Sequence, residues 1–377
     1  MTDMINEMKP FLAAAWKKAG FEAQTEVQQK VLPFILEGKD VIAEAPTGTG
    51  KTLAYVIPVL NQINFDLKGI QAVILASSHE LVMQIHRLIQ EWSLESDITS
   101  AAFIGGANVK RQIDKLKKHP QIVIGTPGRI LELIKQKKMK MHQVKTIVLD
   151  EGDQLLVPEH IKTIEAIIKS TLNDRQLLFF SATLPKQAEA TVKSFMKQPE
   201  LVTVTERETG AKVEHVYVIS DIRDKADALA KISRLPQIKA MAFINDISQL
   251  KLLAQKLEYN GAKVAELHSD LNKDKRKNDM KKFRTGELPL LLATDVAARG
   301  LDIQGITHVV HIDFSEDPKQ YIHRSGRTGR LGSTEGTVLS IVTPREERKL
   351  KQLCRELNIN LKKKVLYKGE LMEGNRK

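Results

Sequence analysis

Val41-Ile42-Ala43-Glu44-Ala45-Pro46-Thr47-Gly48-Thr49-Gly50-Lys51-Thr52 runs from an apolar segment through a glycine-rich turn into a helix-like stretch. That order is strand, tight turn, helix start, the setting in which a phosphate-binding loop works. Backbone N–H groups of the turn point at phosphate oxygens, and the helix N-terminus adds positive dipole. Lys51 is placed to reach β and γ phosphates, and the Thr52 hydroxyl to hold Mg²⁺. Thr47, Gly48, Thr49 and Gly50 form the cradle itself. Ala45 stands where the first glycine of the pattern usually does. By itself the motif specifies a nucleotide phosphate binder and no particular reaction.

The rest of the chain repeats the rhythm that this segment begins. Short apolar runs lie at 40–43, 72–76, 101–104, 122–124, 146–149, 177–180 and 201–204, with amphipathic stretches such as 80–92 and 186–196 between them. A second set follows at 216–219, 240–244, 264–267, 289–293, 307–312 and 337–342. Strands alternating with helices imply an α/β fold, a parallel sheet covered by helices on both faces. The polar segment Glu206-Arg207-Glu208-Thr209-Gly210 marks a break near 205–212. The expected domains are 1–205, which carries the phosphate loop, and 213–360. Residues 361–377, opening with Leu361-Lys362-Lys363-Lys364, read as a short charged tail that frays.

Composition narrows the partners. The 377 residues are 42% hydrophobic and 28% charged, enough for two full cores. A net charge of +12 suits a polyanion. Aromatics are only 5%, so contact with a nucleic-acid backbone is expected over base stacking. The single Cys354 rules out an internal disulfide and any multi-cysteine zinc site, and reads as a small apolar residue near the C-terminus. Ten histidines show no ligand spacing. Trp16 and Trp92 sit in helical patterns and read as packing residues. No signal peptide and no membrane-spanning run are seen, so a soluble cytoplasmic protein is expected.

Two further segments carry chemistry. Asp150-Glu151-Gly152-Asp153 follows the apolar run Ile147-Val148-Leu149. Carboxylates at the C-terminal end of a parallel strand stand where ligands bind in such sheets. Asp150 is placed to hold Mg²⁺, directly or through water, and Glu151 to orient or deprotonate an attacking water. Asp153 fits a helix cap as well as a functional role. In the other domain, His323-Arg324-Ser325-Gly326-Arg327-Thr328-Gly329-Arg330 is a glycine-punctuated basic segment. Fixed guanidinium groups such as Arg327 and Arg330 can stabilise charge on a transferring phosphoryl group, which would require the domains to close on the nucleotide.

With these segments in view, the chain resembles the DEAD-box RNA helicases of helicase superfamily two over nearly its whole length. Gly20-Phe21 with Thr25 and Gln28, and Phe11 upstream, is similar to the adenine-reading Q motif. Thr47–Thr52 matches the phosphate-loop motif. Gly105-Gly106 and Thr126-Pro127-Gly128-Arg129 match RNA-contact motifs, and Ser181-Ala182-Thr183 the coupling motif. Residues 293–302, Ala-Thr-Asp-Val-Ala-Ala-Arg-Gly-Leu-Asp, and residues 323–330 follow the motifs of the second domain. The resemblance implies two tandem RecA-like domains. It implies Phe21 stacking on adenine with Gln28 on its edge, Asp302 on the ribose, and Arg327 and Arg330 on the γ-phosphate. It further implies RNA contacts at Gly106, Thr126, Arg129 and Thr294, and coupling through Asp153, Ser181, Thr183 and His323.

The departures from the family pattern are specific. Gly152 stands where the family name implies Ala, a change expected to have a modest effect at most. Gln24 and Glu26 replace prolines that flank Thr25, which is expected to loosen that loop. Ser77-Ser78-His79-Glu80-Leu81 stands where Pro-Thr-Arg-Glu-Leu is usual; a histidine, unlike an arginine, is largely uncharged at pH 7. Ser269 replaces a glycine after His268, and Asp246 a threonine after Asn245. Weaker RNA affinity of the core follows from the changes that reduce RNA contacts. The expected protein is an ATP- and Mg²⁺-dependent RNA helicase. It acts as a monomer and grips RNA through the backbone with little sequence specificity, with ribosomal or other RNP components as further partners and no membrane. A DNA translocase of the same superfamily and a nucleotide-gated RNA clamp with little turnover are the alternatives. DNA-versus-RNA stimulation and turnover separate them.

Overall fold

Side chains alternate across each strand, and here the alternation sorts them between two helix layers. The computed structural model describes residues 8–21, 23–204, 212–298, 303–329, 335–367 and 370–373. The chain divides into two compact units, Met1–Glu208 and Thr209–Lys377. In the first, β1 (Val41–Glu44), β2 (Ala72–Leu75), β3 (Ser100–Phe103), β4 (Ile122–Gly125), β5 (Thr146–Asp150), β6 (Gln176–Ser181) and β7 (Glu200–Thr203) form one sheet in the order β3-β4-β2-β5-β6-β1-β7. Every pairing in it is parallel. Val41, Ala43, Ile74, Val148, Leu178 and Phe180 pack on one face. Ile42, Val73, Leu75, Ile147, Leu149, Leu177 and Phe179 pack on the other.

Among its described residues the second unit has eight strands: β8 (Lys212–Ile219), β9 (Ala240–Phe243), β10 (Val264–Leu267), β11 (Leu290–Ala293), β12 (His308–His311), β13 (Glu335–Val342), β14 (Leu361–Tyr367) and β15 (Glu370–Glu373). Their order is β10-β11-β9-β12-β13-β8-β14-β15. Only β14–β15 is antiparallel.

The C-terminal residues correct one expectation. Leu361–Tyr367 is a strand and no frayed tail: it pairs with β8 at 361–363 and then with β15. Leu366 and Leu371 pack on one core, Leu361 on the other. The lysine run hides the strand in the sequence, yet lysine is what an outer strand uses to discourage edge-to-edge pairing.

Helix starts follow from side-chain caps. Gln28 Oε1 accepts from the Thr25 N–H at 3.0 Å at the start of the helix Glu26–Leu36, and Glu26 in its first turn suits the dipole. Asp246 accepts from the Gln249 N–H at 2.9 Å and caps the helix Ile247–Tyr259. The Asp-for-Thr departure there exchanges one good N-cap residue for another.

Candidate nucleotide and RNA site

The phosphate loop joins β1 to the helix Lys51–Gln62. Gly48 and Gly50 take φ of 83° and 88°, backbone that residues with a Cβ rarely adopt. At Gly50 space adds to torsion, since a Cβ would lie 2.8 Å from Gln28 Nε2 and 3.1 Å from Thr25 Oγ1. Thr49 Oγ1 donates to the Pro46 carbonyl at 2.8 Å. The Lys51 ammonium folds into the loop and donates to the Ala45 and Pro46 carbonyls. Thr47 Oγ1 is buried with no hydrogen-bond partner among the described residues. A cationic group at a helix N-terminus, where the first N–H groups lack intrahelical partners, beside an unpartnered hydroxyl fits a polyphosphate.

β5 ends at Asp150, which is 4% exposed. Its Oδ2 accepts from the Tyr55 hydroxyl at 2.8 Å and its Oδ1 from the Glu151 N–H at 2.9 Å. Thr52 lies one turn before Tyr55 on the helix Lys51–Gln62, so Thr52, Tyr55 and Asp150 stand together at this end of the sheet. Burial pushes the Asp150 carboxyl up to about 6, and the neighbouring Glu151 carboxylate adds to the rise. A carboxylate and a hydroxyl held together at such cost suit a hard cation, whose charge reverses the desolvation effect. Among the described residues no group of three or more His, Cys, Asp and Glu is placed to hold a metal. A Mg²⁺ here would therefore rely on Asp150, Thr52 and the phosphates themselves.

Glu151 is held in the left-handed region, φ 51° and ψ 50°. Its Oε2 accepts from Ser77 Oγ at 2.7 Å. Asp153 turns away toward β6: Ser181 Oγ donates to its Oδ1 at 2.7 Å and Thr183 Oγ1 to its Oδ2 at 3.1 Å. Three of the four residues expected to couple are thus directly bonded; the fourth, His323, stands on the helix Pro318–Ser325 of the second unit. Arg129, also expected at the RNA surface, is 8% exposed and lies 3.2 Å from Glu132. Its buried Nη1 finds no hydrogen-bond partner among the described residues. Thr126 starts the same helix, and Gly106 sits in a turn at φ 70°. His79 begins the helix His79–Trp92 close to Gly105.

Phe21 is 40% exposed and stacks on Trp92, ring centroids 6.3 Å apart. Trp16 meets it edge-on at 5.3 Å. Both tryptophans are buried, so they pack while presenting Phe21 to solvent. Gln28 is 3% exposed and already engaged, accepting from the Thr25 N–H at 3.0 Å and donating to the Gly50 carbonyl at 3.3 Å. It ties the segment around Thr25 to the phosphate loop.

In the second unit Thr294 follows β11 and is 7% exposed. Arg324 is 1% exposed. It donates to Asp295 Oδ1 at 2.7 Å, to the Asp313 carbonyl at 2.7 Å and to Asn245 Oδ1 at 2.6 Å. This buried fork locks the segment after β11 to the helix Pro318–Ser325, and so sets where Thr294, His323 and Arg327 stand. Arg327 is 8% exposed. Asp302 and Arg330 lie outside the described residues.

The comparisons with known proteins agree with this geometry. Residues 25–191 match the DEAD/DEAH box helicase family and residues 224–332 the helicase conserved C-terminal domain. CshC of Bacillus cereus, named a DEAD-box ATP-dependent RNA helicase, is 51% identical over 370 residues, 98% of this chain and 95% of that one. The chain belongs to the DEAD-box helicases. YfmL of Bacillus subtilis, named a probable ATP-dependent RNA helicase, is 51% identical over 368 residues, 97% of each chain. S. cerevisiae Dbp5, solved bound to RNA and ADP BeF3, superposes with a TM-score of 0.85 at 28% identity, over 96% of this chain and 94% of that one. Both units are RecA-like, as the resemblance implied.

One family departure of this DEAD-box chain has a steric cause. A Cβ on Gly152 would fall inside van der Waals contact of the fully buried Phe179 ring. The structure adds a steric reason for the residue: glycine is what lets the motif pass over Phe179. Gly152→Ala is expected to lower stability by about 1–3 kcal/mol, the range for overpacking a core. Phe179→Leu in the same chain should restore most of it. Urea unfolding of the single and double variants measures both, and an unaffected Gly152→Ala protein would refute the steric reading.

Tyr55 lies outside every motif, while Ser77 in the first unit and Asp295 and Arg324 in the second stand inside motifs that assigned them no role. Ser77 had a positional signal, since it follows the C-terminal end of β2, beside β5 in the sheet.

Proposed function

We propose that this chain is an ATP-dependent RNA helicase whose phosphate loop, acidic strand end and coupling residues work as one unit. The observation that carries this is their convergence at the C-terminal ends of β1, β5 and β6. There Lys51, Asp150 with Glu151, and Asp153 bonded to Ser181 and Thr183 stand at or just beyond the ends of adjacent strands. Lys51 and the loop amides bind the β and γ phosphates of the substrate ATP. Asp150 and Thr52 would hold a Mg²⁺ ion, which would supply charge neutralisation at those phosphates. Glu151 orients the attacking water and accepts its proton. Phe21 stacks on the adenine. Asp302 takes the ribose. Arg327 and Arg330 of the second unit act on the γ-phosphate. Gly106, Thr126, Arg129 and Thr294 grip RNA through its backbone, so salt weakens binding. Asp153, Ser181, Thr183 and His323 transmit the nucleotide state to that grip. In this reading the protein works as a cytoplasmic monomer on RNA, including ribosomal or other RNP assemblies.

Glu151→Gln tests the assignment. The amide keeps the shape and loses the base, so turnover should fall roughly 10²–10⁴-fold while ATP and RNA binding persist. RNA anisotropy with ATP should show a long-lived complex that wild type releases. Loss of ATP binding in the variant would make Glu151 structural and overturn the role given to it.

A further inference from the structure

Residues 344–377 contain eleven Lys and Arg against five Asp and Glu, which is half of the chain's net charge of +12. Part of that charge converges on one face. Lys351, on the helix Pro344–Glu356, lies 5.6 Å over the Tyr217 ring. Lys363 on β14 is the register partner of Tyr217, and it joins Lys351 in depressing the Glu347 carboxyl. Arg355, one turn beyond Lys351, is exposed. Strand alternation continues the face of Lys363 into Val365 and Tyr367, which are 43% and 57% exposed, and Met372 opposite Val365 is 47% exposed. Leu366 and Leu371 take the opposite face and the core. Of the nearby carboxylates, Glu347 is engaged by Lys351 and the Tyr217 hydroxyl, Glu356 accepts from Gln352, and Glu370 and Glu373 sit on β15.

We propose that Lys351, Arg355, Lys363 and Tyr367 form an accessory surface for single-stranded RNA that flanks the segment held at Thr294. The proposal rests on the helicase reading and names where further RNA goes. Cations spaced along a strip match successive phosphates, and an exposed tyrosine among them offers a stacking face. Position supports it. Lys363 lies level in the sheet register with Ala293, the residue before Thr294, and β14 is five strands from β11. At about 4.8 Å per strand that is roughly 24 Å along one sheet edge.

Binding of a ladder of labelled oligoribonucleotides to the full chain tests it. Lys363→Glu with Tyr367→Ala should weaken long RNAs about tenfold, the scale of one lost stack. The salt slope should drop by ~0.7 for each phosphate that is no longer neutralised. The shortest bound RNA should be unaffected. Lys362→Gln, on the opposite face and paired with Glu214, is the charge control and should resemble wild type. A double variant that binds no more weakly than this control, or is weakened equally at every length, overturns the surface. Wild type that binds no RNA overturns the helicase reading, and the surface with it.

A separate contact carries a second inference. Ser77 stands where the family motif has proline, which has no hydroxyl to offer, and its Oγ donates to Glu151 Oε2 at 2.7 Å. The geometry points to Ser77 as a positioning residue that fixes the Glu151 carboxylate. Ser77→Ala should lower kcat about tenfold with the KM for ATP and RNA affinity unchanged, and Ser77→Thr should restore it. In a Glu151→Gln background Ser77→Ala should cost nothing further. Melting of the nucleotide-free protein should show the same non-additivity, with a fall of about 2–4 °C for Ser77→Ala alone. An effect expressed in KM, or additive with Glu151→Gln, overturns it.

Discussion

Lys51→Ala should reduce ATP hydrolysis by about 10³-fold or more and weaken ATP binding. A preorganised donor at developing phosphoryl charge is worth roughly 10²–10³ in kcat, and Lys51 is a full cation in a loop that also supplies ground-state binding. The structure adds a second consequence. The ammonium bridges the Ala45 and Pro46 carbonyls, so its removal leaves both without that donor. Some loosening of the loop is therefore expected even without nucleotide. Steady-state hydrolysis with saturating RNA, together with thermal melting of the free protein, separates the two effects. A correctly folded variant with near wild-type turnover would remove Lys51 from the mechanism.

What the sequence disclosed and what it hid follow a physical division. Motif residues are legible because chemistry fixes their type and spacing: a glycine-rich turn, a lysine at a helix start, carboxylates at a strand end. The thirteen expected strand segments all lie on strands, since alternation and apolar runs are local signals. Contacts between distant segments are not local. Nothing in Gly152 announces Phe179, twenty-seven residues on, or links Ser77 to Glu151. Among the basic residues of 323–330 the sequence cannot tell which guanidinium is buried in a structural fork, and Arg324 proved to be that one. The β14–β15 hairpin escaped notice because three consecutive lysines outweigh the leucines that seat it.

The second large effect concerns the dependence of one unit on the other. The phosphate loop lies in the unit Met1–Glu208 and the arginine segment in the unit Thr209–Lys377. Residues 1–205 alone should therefore bind ATP yet hydrolyse it negligibly. Arg327→Ala in the full chain should slow hydrolysis by roughly 10³–10⁵, the worth of an arginine finger in related phosphoryl transfer. ATP affinity should change far less, because such a group acts on charge that appears in the transition state. Arg324 makes the experiment discriminating. Its removal would strip the half-buried Asp295 of its cation and leave Asn245 and the Asp313 carbonyl without that donor, a loss of about 1.5–3 kcal/mol that should appear in unfolding as well as in turnover. The loss of kcat in Arg327→Ala should far exceed any fall in its stability. RNA should stimulate the intact protein, since two ligands that favour one shared state must strengthen each other's binding, and salt should erode that stimulation. Hydrolysis is measured for residues 1–205, the full chain and both arginine variants, with and without RNA. Full RNA-stimulated activity from residues 1–205 would show that the second unit contributes nothing to catalysis.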